Sequence, residues 1–74
     1  MRLAIVEWLD AVADCGWTES REVPKPARIW SAGWVVANTR EHITLATSVD
    51  EGSEIVNATM TIPRGMVVSV TYLS

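Results

Sequence analysis

Residues 56–73, VNATMTIPRGMVVSVTYL, contain the clearest strand pattern of this chain. Residues 56–62 alternate apolar and polar side chains at the period of a strand, and one apolar face is formed by Val56, Ala58, Met60 and Ile62. Residues 66–73 repeat this alternation as a closing strand, and one face is formed by Met66, Val68, Val70 and Tyr72. Pro63-Arg64-Gly65 separates the two runs, which predicts a tight turn or a single 3₁₀ turn.

The same preference for strands extends over the whole chain. Ten Val, five Ile and seven Thr make 22 of the 74 residues β-branched, and such side chains favour a pleated backbone. Residues 42–48 predict another strand with Ile43 and Leu45 on its inner face, followed by a hairpin loop at 50–52. Residues 27–36 predict a longer strand, in which Gly33 indicates a bulge or a sharp bend.

The first fifteen residues fit two patterns. One set of apolar residues has helical spacing, namely Ile5, Trp8, Leu9 and Val12, and a helix would also place Asp10 and Asp14 one turn apart. Another set, Ala4, Val6 and Trp8, fits a strand face. We expect a strand over residues 2–10, because its residues favour extended backbone and it would cover a sheet edge. Residues 16–26, with Pro24 and Pro26, predict a long loop containing at most one helical turn.

A chain of 74 residues and 8.1 kDa has room for one core, so a single domain over residues 1–74 is expected. Five short strands, one long loop after the first strand, and a proline turn before the last strand predict an all-β fold. The expected architecture is a small five-stranded SH3-like or Sm-like barrel.

Several strings of the sequence carry a resemblance to a known group of proteins. They are VEWLDA at 6–11, GW at 16–17, SAGWVV at 31–36, ITLATS at 43–48 and TIPRGMVVSV at 61–70. With these strings the chain resembles small, mostly uncharacterised bacteriophage and prophage proteins. The resemblance implies a phage or prophage origin and an SH3-like barrel, and it assigns no activity.

Charge and cysteine content restrict the function classes. The net charge of −3 and the pI near 4.9 oppose binding to phosphate backbones, so nucleic acid is the less favoured partner. The single cysteine, Cys15, indicates a reducing compartment. The sequence has no apolar run long enough for a membrane span. We therefore expect a cytoplasmic protein, located in the host cell if a phage encodes it.

Tryptophan is the unusual residue, because four tryptophans occur without any phenylalanine. They either fill and cap the barrel or form an exposed patch for a partner. Trp30 and Trp34 differ by four positions and share a face on an unbulged strand. The candidate partner-binding residues are Trp17, Trp30, Trp34, Tyr72, Arg21 and Lys25.

Two charged groups have alternative interpretations. Arg21, Lys25 and Arg28 form either a solvated loop or a phosphate contact. The acidic tip formed by Asp50, Glu51 and Glu54 is either solvated or engages a basic partner.

Catalysis is not expected from this sequence. His42 is the single histidine and Cys15 the single cysteine, so no metal-ligand spacing is present, and no glycine-rich phosphate loop occurs. We expect no enzyme activity, no catalytic residues, no metal and no cofactor. The favoured function is a noncatalytic protein-interaction module that binds a host or phage protein, or a second copy of itself. The alternative is an Sm-like or tudor-like nucleic-acid or transcription-associated module.

Overall fold

A computed structural model of the protein describes residues 1–13 and 15–74, and it confirms the all-β, five-stranded prediction. The strands form one antiparallel sheet with the order β4-β3-β2-β1-β5. Their bounds are β1 Leu3–Asp10, β2 Ala27–Asn38, β3 His42–Val49, β4 Val56–Pro63 and β5 Val67–Tyr72. Two 3₁₀ turns, Ser20–Glu22 and Arg64–Met66, lie between strands.

The N-terminal segment is a strand, so the helical alternative is wrong for residues 3–10. β1 is extended because it has a partner on both sides: Val6 pairs with Ser31 of β2 and with Val70 of β5. Backbone hydrogen bonds to both neighbouring strands stabilise the extended conformation of β1, although the spacing of its apolar residues also fits a helix. The predicted placement of Asp10 and Asp14 one helical turn apart involves Asp14, which lies outside the described residues.

The sheet is not closed. β4 and β5 are its two edges, and they do not pair with each other. The turn predicted at 63–65 is confirmed as the 3₁₀ turn Arg64–Met66, which connects these edge strands. The Arg64 backbone N–H donates to the Glu41 carbonyl at 2.9 Å, so this turn is joined to the connection between β2 and β3. The SH3-like or Sm-like barrel architecture therefore stays a prediction.

β2 has two halves with different neighbours. It pairs with β1 in one uniform register from Ala27 to Trp34, whereas its pairing with β3 begins only at Trp34. The pairing with β1 has no bulge at Gly33, so that alternative is wrong, and the sharp bend stays a prediction. The irregularity in the pairing with β3 lies at Val36, because Val35 pairs with Leu45 and Ala37 pairs with Thr44. At Gly33 a Cβ would lie 2.7 Å from the Ala46 carbonyl oxygen, so this glycine permits a close backbone approach.

β5 contains a second irregularity that changes its buried face. Its register against β1 shifts between Glu7 and Trp8, so that Trp8 pairs with Val67. Val67 consequently packs on the core, while Val68 is 50% exposed and Met66 is also exposed. The predicted face is wrong for Met66 and Val68, since strict alternation does not survive a bulge.

The core is small. It consists of Val6, Ile43, Leu45 and Ile62, with Trp8, Val35, Val67 and Val70 packed against it. The remaining apolar residues predicted for the β4 face contribute less, because Ala58 and Met60 are exposed.

The chain also exposes more surface than a compact domain of its size. Its accessible surface is 5564 Å², against about 4,500 Å² expected for a compact monomer of this mass. The radius of gyration is 15.4 Å, against about 11 Å expected for a compact chain of this length. The chain is therefore less compact than a typical monomer of its size.

Candidate partner-binding surfaces

The four tryptophans have different environments. Trp8 packs on the core, and its indole Nε1 donates to Ser31 Oγ at 3.0 Å. Trp34 is half-buried, Trp30 is 62% exposed, and Trp17 in the β1–β2 loop is fully exposed. The structure thus uses one indole for the core and leaves two at the surface.

Trp30 and Trp34 lie on the same face of the sheet. The β1–β2 register is uniform between them, with Trp30 opposite Glu7 and Trp34 opposite Leu3. Glu7 and the core residue Val6 are neighbours on β1, and neighbouring residues of a strand point to opposite sides of the sheet. The face that carries Trp30 and Trp34 is therefore the one away from the core. We call it the outer strip, and it comprises Leu3, Ile5, Glu7 and Leu9 of β1 with Trp30, Ala32 and Trp34 of β2.

A buried carboxylate stands in the middle of the outer strip. Glu7 is 8% exposed, although it lies on the side away from the core. Its Oε1 accepts a hydrogen bond from the Ser69 hydroxyl at 3.1 Å, and its Oε2 lies 3.0 Å from Arg28 Nη1. These partners satisfy the carboxylate and hold it in place. One feature of the sequence marks this residue, an acidic side chain between the apolar Ile5 and Leu9.

The Trp34 end of the outer strip opens into a cleft of about 480 Å³. Its walls are Met1, Trp34, Val49, Glu51 and Glu54. The acidic hairpin tip and Trp34 were separate candidates in the sequence, and the structure places two of the acidic residues in the walls of the same cleft as this indole. An apolar wall with carboxylates at its rim suits a partner that carries basic side chains.

The acidic tip is the hairpin turn predicted at 50–52. Asp50 organises it, since its carboxylate accepts hydrogen bonds from the Gly52 N–H at 3.1 Å and from the Ser53 hydroxyl at 2.9 Å. Glu54, with φ of 59°, takes the left-handed conformation in this turn. The turn that carries Glu51 and Glu54 is therefore ordered by internal hydrogen bonds.

Tyr72 is not part of the outer strip. It lies opposite Ala4, whereas Trp30 lies opposite Glu7, and these two β1 residues face opposite sides of the sheet. The Asn38 side-chain amide donates to the Tyr72 hydroxyl at 2.9 Å. The Arg2 guanidinium carbon lies 3.8 Å from the centre of the Tyr72 ring.

Arg64 is connected to Tyr72 through Asn38. It donates to the Asn38 side-chain oxygen, and its Nε donates to the Thr39 carbonyl at 3.0 Å. We call Arg2, Asn38, Arg64 and Tyr72 the arginine–tyrosine cluster. Within residues 1–13 and 15–74, no carboxylate forms an ion pair with either arginine of the cluster.

The basic residues predicted for the loop are divided between the loop and the sheet. Arg21 pairs with Glu19 at 2.8 Å, and both side chains are well exposed. Lys25 is exposed in the same loop, while Arg28 belongs to β2 and pairs with Glu7. The loop therefore presents Trp17 among nearly balanced charges rather than a basic patch.

The residues considered for catalysis lie in separate elements. Cys15 is exposed in the β1–β2 loop, and His42 begins β3 with its Nδ1 at 3.4 Å from the Thr39 hydroxyl. Across the described residues, no group of three His, Cys, Asp or Glu side chains is arranged to hold a metal ion. The described part of the chain also has no helix with the length and apolarity needed to cross a membrane.

Comparisons of the chain with protein-family models, with curated proteins and with solved structures find no match.

Proposed function

We propose that this chain is a noncatalytic protein-interaction module of phage type, with an SH3-like or Sm-like architecture, whose partner binds the outer strip. The observation that carries the proposal is the exposure of Trp30 on a paired strand, directly opposite the anchored Glu7. The exposed Trp17 in the β1–β2 loop provides a second contact beside the sheet.

A tryptophan in this setting is a favourable anchor. Trp and Arg are enriched among the residues that contribute most to protein binding, and an indole loses little conformational freedom when it is covered. The Glu7–Arg28 ion pair joins β1 to β2, the strand that carries Trp30, so the surrounding surface is ordered before a partner arrives. This preorganisation lowers the entropic cost of binding.

The chain as a whole exposes about 1,100 Å² more than a compact monomer of its mass. A standard interface covers about 800 Å² on each partner, so covering part of this surface suffices for one. The partner is a host or phage protein, or a second copy of this chain. Glu51 and Glu54 at the end of the outer strip favour a partner with basic side chains.

The test begins with a photo-crosslinking residue in place of Ala32, which is exposed in the middle of the outer strip. The crosslinked protein is identified, purified and titrated against the wild type and two variants. Trp30→Ala is expected to weaken its binding by about thirtyfold, whereas Ile55→Ala, at a residue 69% exposed outside the outer strip, is expected to change it little. Equal binding by the wild type and Trp30→Ala would show that the outer strip is not the partner site.

A second candidate function is favoured by the arginine–tyrosine cluster. The Arg2 guanidinium lies over the Tyr72 ring, and Arg64 joins it through Asn38; among the described residues neither arginine forms an ion pair with a carboxylate, an arrangement that suits the phosphates and bases of a nucleic acid. The net charge of −3 opposes this binding. The module would then be Sm-like or tudor-like.

Fluorescence anisotropy with labelled single-stranded RNA and DNA tests this second candidate. Salt-sensitive binding at ~0.15 M salt that is lost in Arg64→Ala and retained in Arg21→Ala would support it. Binding that is absent, or equal in the two variants, would exclude the cluster as a nucleic-acid site.

A further inference from the structure

The cleft of about 480 Å³ at the Trp34 end of the outer strip, here called the Trp34 cleft, combines apolar and charged walls. Met1, Trp34 and Val49 form the apolar wall, and Glu51 and Glu54 form the charged one. Ligand-binding clefts have volumes of roughly 300–1,000 Å³, so the Trp34 cleft has room for a long side chain of a partner. A second cleft, of about 310 Å³ between β2 and the β3–β4 hairpin, is lined among the described residues by apolar and uncharged polar side chains. The Trp34 cleft differs from it by selecting a ligand through charge.

The two carboxylates of the Trp34 cleft are not neutralised by a cation of their own chain. Within the described part of the chain, ion pairs form at Glu7 and at Glu19, and neither pair involves Glu51 or Glu54. Both cleft glutamates are exposed to solvent. A cation brought by a partner would therefore meet two negative charges without displacing an internal ion pair.

The hairpin tip carries these carboxylates on an ordered backbone. The Glu54 backbone N–H donates to the Asp50 carbonyl at 2.7 Å, and the Asp50 N–H donates to the Ile55 carbonyl at 2.8 Å. The Asp50 carboxylate is used within the turn, where it accepts two hydrogen bonds. Of the three acidic residues at the tip, Glu51 and Glu54 thus keep their carboxylates for a ligand.

The indole of the Trp34 cleft comes from a residue that is paired on both sides. Trp34 lies opposite Leu3 of β1 and opposite Ala46 of β3. It is half-buried, so part of its ring stays open to a ligand. An arginine guanidinium stacks on an indole, binds carboxylates through its fork of N–H groups, and is more weakly hydrated than the ammonium group of lysine. These properties match an indole and two carboxylates in one cleft.

We infer that the Trp34 cleft receives an arginine side chain of the partner that covers the outer strip. The guanidinium stacks on Trp34 and donates to Glu51 and Glu54, while the alkyl stem packs on Met1 and Val49. The inference rests on the proposed function, because it names a contact of the same partner. The arginine anchors that partner at a second point of the outer strip and makes the acidic chain prefer a basic partner.

The cleft is tested first without the partner, with N-acetyl-arginine methylamide as the probe. The probe is titrated into the isotope-labelled full chain at low salt, and the indole N–H resonance of Trp34 is followed, which the variant Trp34→Phe assigns. The resonance should shift with this probe, shift less with N-acetyl-lysine methylamide, and stay in place with the neutral N-acetyl-citrulline methylamide.

Two variants with changed charge show whether the carboxylates hold the probe. The double variant Glu51→Gln, Glu54→Gln should weaken binding of the arginine probe at least about fivefold, because two charge-assisted contacts are lost. Glu22→Gln, which removes one negative charge from the exposed β1–β2 loop, is the control and should change the binding little. A Trp34 resonance that ignores the arginine probe, or that moves equally with the lysine or citrulline probe, would overturn the inference. Equal probe binding by the wild type and the double variant would overturn it as well.

The partner identified by crosslinking at Ala32 provides a second measurement. The double variant Glu51→Gln, Glu54→Gln should bind this partner at least about fivefold more weakly than the wild type. Equal binding would overturn the arginine contact, whereas the proposed function is decided separately by the loss of binding in Trp30→Ala. The failure of one is therefore distinguishable from the failure of the other.

Discussion

Glu7 and Ser69 lie directly opposite each other on β1 and β5, and the Ser69 hydroxyl donates a hydrogen bond to Glu7 Oε1 at 3.1 Å. This bond joins residues 62 positions apart and satisfies one oxygen of a nearly buried carboxylate. A polar pair at this position stabilises the edge strand β5 only while both partners are present.

The first prediction concerns this pair. Ser69→Ala should lower the free energy of unfolding by about 1 kcal/mol, and Glu7→Ala should lower it by about 1–3 kcal/mol because Arg28 also loses its partner. Urea unfolding of both single variants and the double variant measures the coupling. Strictly additive changes would show that the hydrogen bond contributes nothing in solution.

The second prediction compares two glycines. Gly33→Ala should destabilise the fold by about 1–3 kcal/mol, because its Cβ would meet the Ala46 carbonyl oxygen at 2.7 Å and the Leu45 Cβ at 3.2 Å. Gly65→Ala is the matched control. No heavy atom lies within 4 Å of its added Cβ, and its φ is not positive, so its stability should be unchanged or slightly higher. Thermal unfolding distinguishes the two, and equal melting temperatures would contradict the close approach at Gly33.

The third prediction concerns the core. Ile62 is 1% exposed and Ile55 is 69% exposed, although both lie in or beside β4. Ile62→Val should cost about 0.5–1.5 kcal/mol, whereas Ile55→Val should change the stability by less than about 0.5 kcal/mol. Denaturant unfolding at equilibrium gives both values. The burial assigned to Ile62 would be wrong if both variants were equally stable.

The fourth prediction compares a core indole with a loop indole. Trp8→Phe removes the Nε1 donor to Ser31 and part of the packing against the core, so it should destabilise by about 1–2 kcal/mol. Trp17→Phe should leave stability unchanged and, in dilute solution, should reduce the fluorescence that acrylamide quenches most strongly. Loss of stability in Trp17→Phe would show that the indole packs within its own chain.

The strand content and the short connections were predictable from the sequence because both depend on local chemistry. Alternation in residues 56–62 and 66–73 identified β4 and β5, and Pro63 before Gly65 identified the 3₁₀ turn between them. The N-terminal strand was predictable only in part, since its residues fit helical spacing equally well. Pairing of this segment with β2 and β5 selects the strand over the helix.

Of the candidate site, the shared face of Trp30 and Trp34 followed from their even spacing, and the exposure of Trp17 followed from its place in a loop. The role of Glu7 did not follow, because its partners Arg28 and Ser69 are distant in sequence. Nor did the separation of Tyr72 from Trp30, which depends on the register of β5 against β1.

The all-β character, the strands, the turns and the surplus of indoles follow from local sequence, because backbone preference and period-two alternation act over a few residues. The tertiary structure alone decided which side of each strand is covered. Bulges at Val36 and beside Trp8 shift the pairing by one residue, and a shift of one residue moves a side chain to the opposite face. The open edges and the two clefts arise in the same way, from where strands stop pairing rather than from any local motif.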